Sequence, residues 1–250
     1  MRRAIPLSLL VLGLILVLAP MASAQDIAEL EKDITTFQLD NGLRFIVVER
    51  HDAPVFSYVS VVKVGSVNEV PGITGLAHMF EHMAFKGTPE IGTSDYKAEM
   101  KALEKVDAAY AEWWKAHLEG VDEADLEILW KGFEDAQEAA GEYVVPNEFG
   151  GLVEQAGGTG LNASTAPDVT TYYYNLPSNK LELWAYLESE RFTRPVLREF
   201  YTERDVVMEE RRMRTDSSPF GRLLEEFVTT AYKAHPYGLP TVGHMSDLKS

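Results

Sequence analysis

The spacing of apolar and polar positions changes several times along the chain, and each change marks an element. Residues 35–39 and 43–48 read as short strands on either side of Asp40-Asn41-Gly42. An Asn-Gly step between apolar runs is the strongest short-range hairpin signal. Residues 56–67 alternate and are rich in valine, which predicts a third strand running into a turn at Pro71-Gly72. From Gly75 the spacing becomes helical and stops at Gly87, with Pro89 as a second breaker. Two longer helical runs follow: 94–120, with Ser94 and Asp95 as candidate caps, and 122–141, with Leu126, Leu129, Trp130 and Phe133 at helical spacing. Joined through Gly120-Val121-Asp122, they predict an antiparallel helical hairpin. Trp113, Trp114 and His117 near its tip read as core between two helices rather than as chemistry.

Further on, 147–156 reads as a short helix ended by Gly157-Gly158, and 161–165 with 169–175 as paired strands around Ala166-Pro167-Asp168. Helices are expected at 178–191, 197–215 and 219–234, then a loop over 235–240. The pattern contains no internal repeat and no low-complexity tract.

The 250 residues, 46% apolar and 25% charged, have enough material for a sizeable core. The N-terminus stands apart. Arg2-Arg3, an apolar run over 5–19, Pro20 and Ala22-Ser23-Ala24 form the pattern of a cleaved secretory signal, residues 1–24. Its apolar stretch is too short for a spanning helix, so no stable membrane anchor is expected after cleavage. The expected destination is export: the periplasm in a Gram-negative bacterium, the medium otherwise. With no cysteine, neither a disulfide framework nor a lipid attachment site is available. The formal charge of −16, becoming −18 once a signal with two arginines and no acids is removed, leaves no electrostatic case for nucleic acid or an anionic membrane surface.

The chemistry concentrates in His78-Met79-Phe80-Glu81-His82. On a helix, residues four apart lie one above the other, so His78 and His82 can close on one metal ion. Glu81 lies near the same face, placed to act as general base on a water rather than as a ligand. Zinc suits this set, because it takes neutral imidazole nitrogens and in catalytic sites keeps one position open. The competing reading is an amphipathic helix with two partly buried histidines.

Two histidines need a further protein ligand. Glu203 and Glu210 are seven residues apart on one predicted helix, two turns along one face, with Val206 and Val207 between them on the side expected to be buried. Glu210 is the expected ligand and Glu203 the carboxylate behind it that orients a histidine or the water. Glu209 is turned away by about 100°. With Arg211 and Arg212 it is read as part of a solvated charge run. His235, before Pro236, competes as a third ligand.

These residues carry a family resemblance. The stretch from His78 to Thr88, the run Leu161-Asn162-Ala163-Ser164-Thr165 with Thr171-Tyr172-Tyr173, and the helix from Glu203 to Glu210 together resemble the pitrilysin/insulinase superfamily of zinc metallopeptidases, in particular its processing-peptidase-like bacterial members. His235-Pro236-Tyr237 and Gly243 fit as well, and the resemblance extends over residues 35–250. It implies an α+β fold, with antiparallel strands packed against helices. It also implies an endopeptidase or oligopeptidase using one Zn2+ held by His78, His82 and Glu210, with Glu81 as general base. Peptide or unfolded-protein substrate is expected to add as a strand beside Asn162 and Ala163. On this view residues 25–250 form an N-terminal peptidase domain, continuing beyond the last residue, with a helical hairpin inserted at about 94–141. The family builds its chamber from two such domains, so a second homologous domain or subunit is an expected partner. The alternative is a non-catalytic or half-site subunit that binds peptides and depends on that partner for activity.

Overall fold

The structure is a computed structural model and describes residues 31–249. The expected signal peptide lies outside the described residues. Within them, no helix is long and apolar enough to cross a membrane.

The chain divides into two units, up to Ala53 and from Pro54. In the first, β1 (Ile34–Gln38) and β2 (Arg44–Val48) form the expected hairpin, in register from Ile34 opposite Val48 to Gln38 opposite Arg44. Phe37 and Phe45 stack across it at 4.8 Å.

In the second unit, β3 (Val55–Val62), β4 (Thr159–Thr165) and β5 (Thr170–Pro177) make an antiparallel sheet in the order β3-β5-β4. β3 stops at Val62, short of the expected 67, and a 3-10 turn at Ser66–Asn68 follows. Tyr174 and Leu176 of β5 point to one face of the sheet. There they pack against Phe149 and Val153 of α4 (Glu148–Gln155) and Leu187 of α5 (Leu181–Thr193). Strand alternation thus places a tyrosine-rich β5 in the core, and Tyr174 spends its hydroxyl on Glu188 at 3.1 Å.

Three helices come between β3 and α4: α1 (Leu76–Met83), α2 (Tyr96–Glu119) and α3 (Glu123–Gly141). The last two form the expected hairpin. Asp95 caps α2 by accepting from the Ala98 N–H, and Asp122 caps α3 by accepting from the Asp125 N–H. Gly120 turns between them at φ 73°, a conformation that glycine adopts without strain. Val106, Tyr110, Phe133 and Ala140 fill the hairpin's own core. His117 stacks on Trp113 and Trp114.

After α5 come α6 (Phe200–Arg211), a π-helical turn at Arg212–Asp216, α7 (Pro219–Ala231) and the short α8 (Met245–Lys249). The single helix expected over 197–215 is therefore α6 plus a π segment. Met79 and Met83 of α1, Val207 and Met208 of α6 and Leu248 of α8 form one buried cluster. That cluster locks the two helices bearing the candidate ligands together. Tyr201 of α6 also packs on Tyr110 and Phe133, and Arg204 donates to the Tyr110 hydroxyl at 2.5 Å, so α6 rests on the hairpin as well.

Candidate metal centre

α1 is short, and its orientation is set at its N-terminus. Glu69 is buried and accepts from the backbone N–H groups of Gly75 and Ala77 at 2.8 and 2.7 Å, satisfying donors that a helix start leaves orphaned. Gly75 is required there. Its φ is 90°, and an added Cβ would lie 2.8 Å from the Val242 carbonyl oxygen and 2.9 Å from Gly243 Cα. Held this way, α1 buries Met79 and Met83 on one side and turns His78 and His82 toward α6.

His78, His82 and Glu210 each offer a ligand atom, all within 4.8 Å of one another. Glu210 Oε2 lies 3.3 Å from His78 Nε2 and 3.7 Å from His82 Nε2, yet it is buried and makes no hydrogen bond among the described residues. A buried carboxylate oxygen without a hydrogen bond is expensive, and two imidazole Nε2 atoms are turned toward it. A cation among them would satisfy all three, so the donor set fits zinc.

The other ring nitrogens differ. His82 Nδ1 donates to Glu203 Oε2 at 3.1 Å; a carboxylate can only accept, so the tautomer follows and Nε2 keeps its lone pair facing Glu210. That hydrogen bond from His82 lowers the pKa of Glu203 and raises that of His82, against the effect of burial. Burial, reinforced by the neighbouring His82, pushes His78 down to about 4, so its imidazole is neutral at ordinary pH. Its Nδ1 is buried with no hydrogen-bond partner among the described residues.

Glu81 lines the same cleft, which has a volume of about 480 Å³. The Thr165 hydroxyl donates to Glu81 Oε2 at 2.5 Å, while the Thr170 hydroxyl beneath it donates to the Val64 carbonyl at 3.0 Å. Asn162 and Ala163 line the cleft on β4, an outer strand of the sheet. The Ala163 N–H is held by Asn162 Oδ1 at 2.8 Å.

Several participants were not singled out in the sequence. Lys86 donates to Glu203 at 2.5 Å and Glu199 at 3.0 Å; burial opposes its charge, but these bonds keep its pKa raised. Arg214 pairs with Glu210 Oε1. Helical spacing carried the signal for Arg214, four residues beyond Glu210. Lys86 lies past the end of α1, and its pairing with Glu199 and Glu203 follows from no spacing rule. Thr165, two residues past Ala163, shares that residue's side of a strand. Two expectations need correction. Val207 is buried as expected, but Val206 is 47% exposed, because only a narrow stripe of α6 meets α1. Arg211 is not solvated; it is buried, donating to the Gly243 carbonyl at 2.8 Å and to both oxygens of Glu225. His235 does not join the cluster. Its Nδ1 accepts from the Tyr237 N–H in its own loop.

Known proteins resemble this chain over most of its length. The profile of the insulinase family (peptidase family M16) matches residues 45–113 and 142–244. The unmatched stretch, 114–141, is the outer end of α2 and all of α3, narrower than the expected insertion. The zinc protease PqqE of Helicobacter pylori is 31% identical over 215 residues, which is 85% of this chain and 36% of that protein. An uncharacterized zinc protease of Mycobacterium leprae is 27% identical, again over 85% of this chain and 36% of its own length. The crystal structure of a protease from Helicobacter pylori superposes with a TM-score of 0.62 at 30% identity, covering 87% of this chain and 40% of that one. The chain thus spans little more than a third of the curated relatives it matches. The matched blocks contain His78, Glu81, His82, Glu203 and Glu210, and this chain belongs to the insulinase family of peptidases, within the pitrilysin/insulinase superfamily of zinc metallopeptidases.

Proposed function

We propose that this chain is the metal-bearing part of an exported zinc endopeptidase or oligopeptidase, with His78, His82 and Glu210 as ligands and Glu81 as general base. The observation that carries the reading is Glu210 Oε2, buried and without a hydrogen bond, facing two imidazole Nε2 atoms in the cleft that Glu81 lines. Zinc held by His78, His82 and Glu210 would supply a Lewis acid for a peptide carbonyl and would acidify a water. Glu81 takes the proton from the attacking water and passes it to the leaving amine. The Thr165 hydroxyl fixes one Glu81 oxygen and leaves the other for that proton. Glu203 holds His82 in the tautomer whose Nε2 is free to ligate.

The substrate is a peptide or unfolded segment that lies along β4 at Asn162 and Ala163. The outer position of β4 supports this, as does main-chain pairing that tolerates many sequences. The incoming strand would replace the Asn162 side chain on the Ala163 N–H.

A second reading is favoured by the share of its relatives that the chain spans: a half-site that binds peptide and needs a second homologous domain or subunit to cleave it. One experiment separates the two. Zinc content and cleavage of an unstructured peptide are measured on the same sample, with Glu81→Gln beside the wild type. Stoichiometric zinc with cleavage lost in Glu81→Gln supports a self-sufficient peptidase, and zinc without cleavage supports the half-site. A protein that takes up no zinc refutes both. Export is tested by N-terminal sequencing of the secreted or periplasmic protein, which should begin at Gln25; recovery of the intact chain in the cytoplasm would refute it.

A further inference from the structure

We propose that Arg214 is a positioning residue for Glu210: its guanidinium occupies Oε1, so that Oε2 is the one oxygen presented to His78 and His82. The inference rests on the metal-centre reading above. Its basis is the unequal treatment of the two oxygens. Oε1 is paired with the Arg214 Nη2, whereas Oε2 is buried and makes no hydrogen bond. A carboxylate left to itself can swing, or present both oxygens to a cation. With one oxygen held by a guanidinium, it offers a single donor in a fixed direction.

The backbone around Arg214 is shaped for this contact. α6 ends at Arg211 and the chain continues as a π-helical turn, in which the Ser217 N–H reaches back to the Arg212 carbonyl at 2.8 Å. Such turns are rare and recur at functional sites. The start of α7 pins the turn from outside, since a Cβ on Gly221 would lie 2.0 Å from the Arg214 carbonyl oxygen. The neighbouring arginines are engaged elsewhere. Arg211 goes to Glu225 and the Gly243 carbonyl, and Arg212 goes to Glu209 at 2.7 Å. What reads in the sequence as a solvated charge ladder is, in the fold, a set of assigned pairs. Of these three arginines, Arg214 is the one that lines the cleft.

The sign of the effect makes the proposal testable. A guanidinium this close to a dication repels it, so on charge alone removing Arg214 should tighten zinc binding. Positioning predicts the opposite. The experiment is zinc affinity of the full chain by competition with a chromophoric chelator, together with the visible spectrum of the cobalt-loaded protein. Arg214→Ala should weaken zinc about tenfold, the low end of what loss of an outer partner costs a metal site, and should alter the cobalt spectrum. Arg214→Lys should restore part of the affinity. Arg212→Ala, which removes the same charge from the same segment, should leave affinity and spectrum unchanged. Arg214 is 66% exposed on its side chain, so the metal-free melting temperature of Arg214→Ala should match wild type. Affinity equal to or tighter than wild type in Arg214→Ala, with Glu210→Gln still losing zinc, overturns the proposal. Retention of zinc by Glu210→Gln would instead overturn the ligand assignment beneath it.

Discussion

Replacing Glu99 by glutamine should destabilise the protein far more than any exposed ion-pair change, and the structure says why. Glu99 is 0% exposed and Arg198 1%. The pair is bidentate, with Nε to Oε1 at 2.7 Å and Nη2 to Oε2 at 3.0 Å. The same guanidinium donates to the carbonyls of Lys86, Thr88 and Ile91 at 2.5, 2.9 and 2.8 Å. It therefore ties the loop leaving α1 to the base of α2. Glutamine keeps the shape but leaves a buried guanidinium without its counter-charge. Breaking a buried pair in this way costs ~3–5 kcal/mol, a large share of the ~5–15 kcal/mol that holds a typical protein folded. At ~2–4 °C per kcal/mol for a chain of this size, the melting temperature should fall by about 6–20 °C. Changing both residues to apolar ones of similar volume often rescues an isolated buried pair. Here it should not, because three buried carbonyls would lose their donor. Thermal and urea unfolding of Glu99→Gln are the assays, with Glu90→Gln as control. Glu90 pairs with Arg194 in solvent, so its loss should leave the midpoint unchanged. A Glu99→Gln midpoint within 2 °C of wild type, by the same scale, would refute the claim that burial sets the strength of this pair.

Other outcomes are expected. Glu81→Gln should keep zinc and lose cleavage by ~10²–10⁴-fold, and zinc loss on that change would make Glu81 a ligand. Thr165→Val should lower turnover by ~10–100-fold, the worth of a hydrogen bond to a charged group, with zinc content unchanged. Thr165→Ser should recover it, and a serine variant as poor as valine would point to packing instead. Glu210→Gln should lose zinc while Glu209→Gln, whose carboxylate pairs with Arg212 at the surface, should not; elemental analysis of both decides. Asp247 accepts from the Thr74 hydroxyl and from the N–H groups of Thr74 and Gly72, and the Thr74 bond leads in holding its pKa down at about 2. Its stabilisation is full above the ordinary carboxylate pKa and lost as pH falls toward 2. Asp247→Asn should therefore melt lower than wild type at pH 6, with the gap closing in acid; a constant gap would mean the effect is not the charge.

Local rules in the sequence carried much of the fold. Asp95 caps the helix that its position predicts, and Asp122, expected as the first residue of the next helix, is its cap. Gly120 makes the turn between them, and the Asn-Gly step makes the β1–β2 hairpin. These are contacts within a few residues, so chain order is enough to fix them. The stacking of His78 over His82 is of the same kind, a consequence of helical pitch. Given that pair, the spacing of Glu203 and Glu210 restricts which face of α6 can meet it.

Only the tertiary structure decided which charged groups are paired and which are bare. Arg211 and Arg212 are neighbours in one charged run, yet Arg211 is buried against the Gly243 loop and Arg212 faces solvent. Val206 and Val207 divide in the same way. Glu69 caps α1 from a turn that carries no capping signature, and Thr165 reaches Glu81 across 84 positions of chain. None of these follows from period or propensity, because burial and hydrogen bonding depend on what lies opposite, and packing between distant elements supplies that. The sequence by itself determined the elements and the residue types a metal would need. The packing of α1 on α6 through Met79, Met83, Val207 and Met208 turned those residues toward one point and left Glu210 Oε2 without a partner.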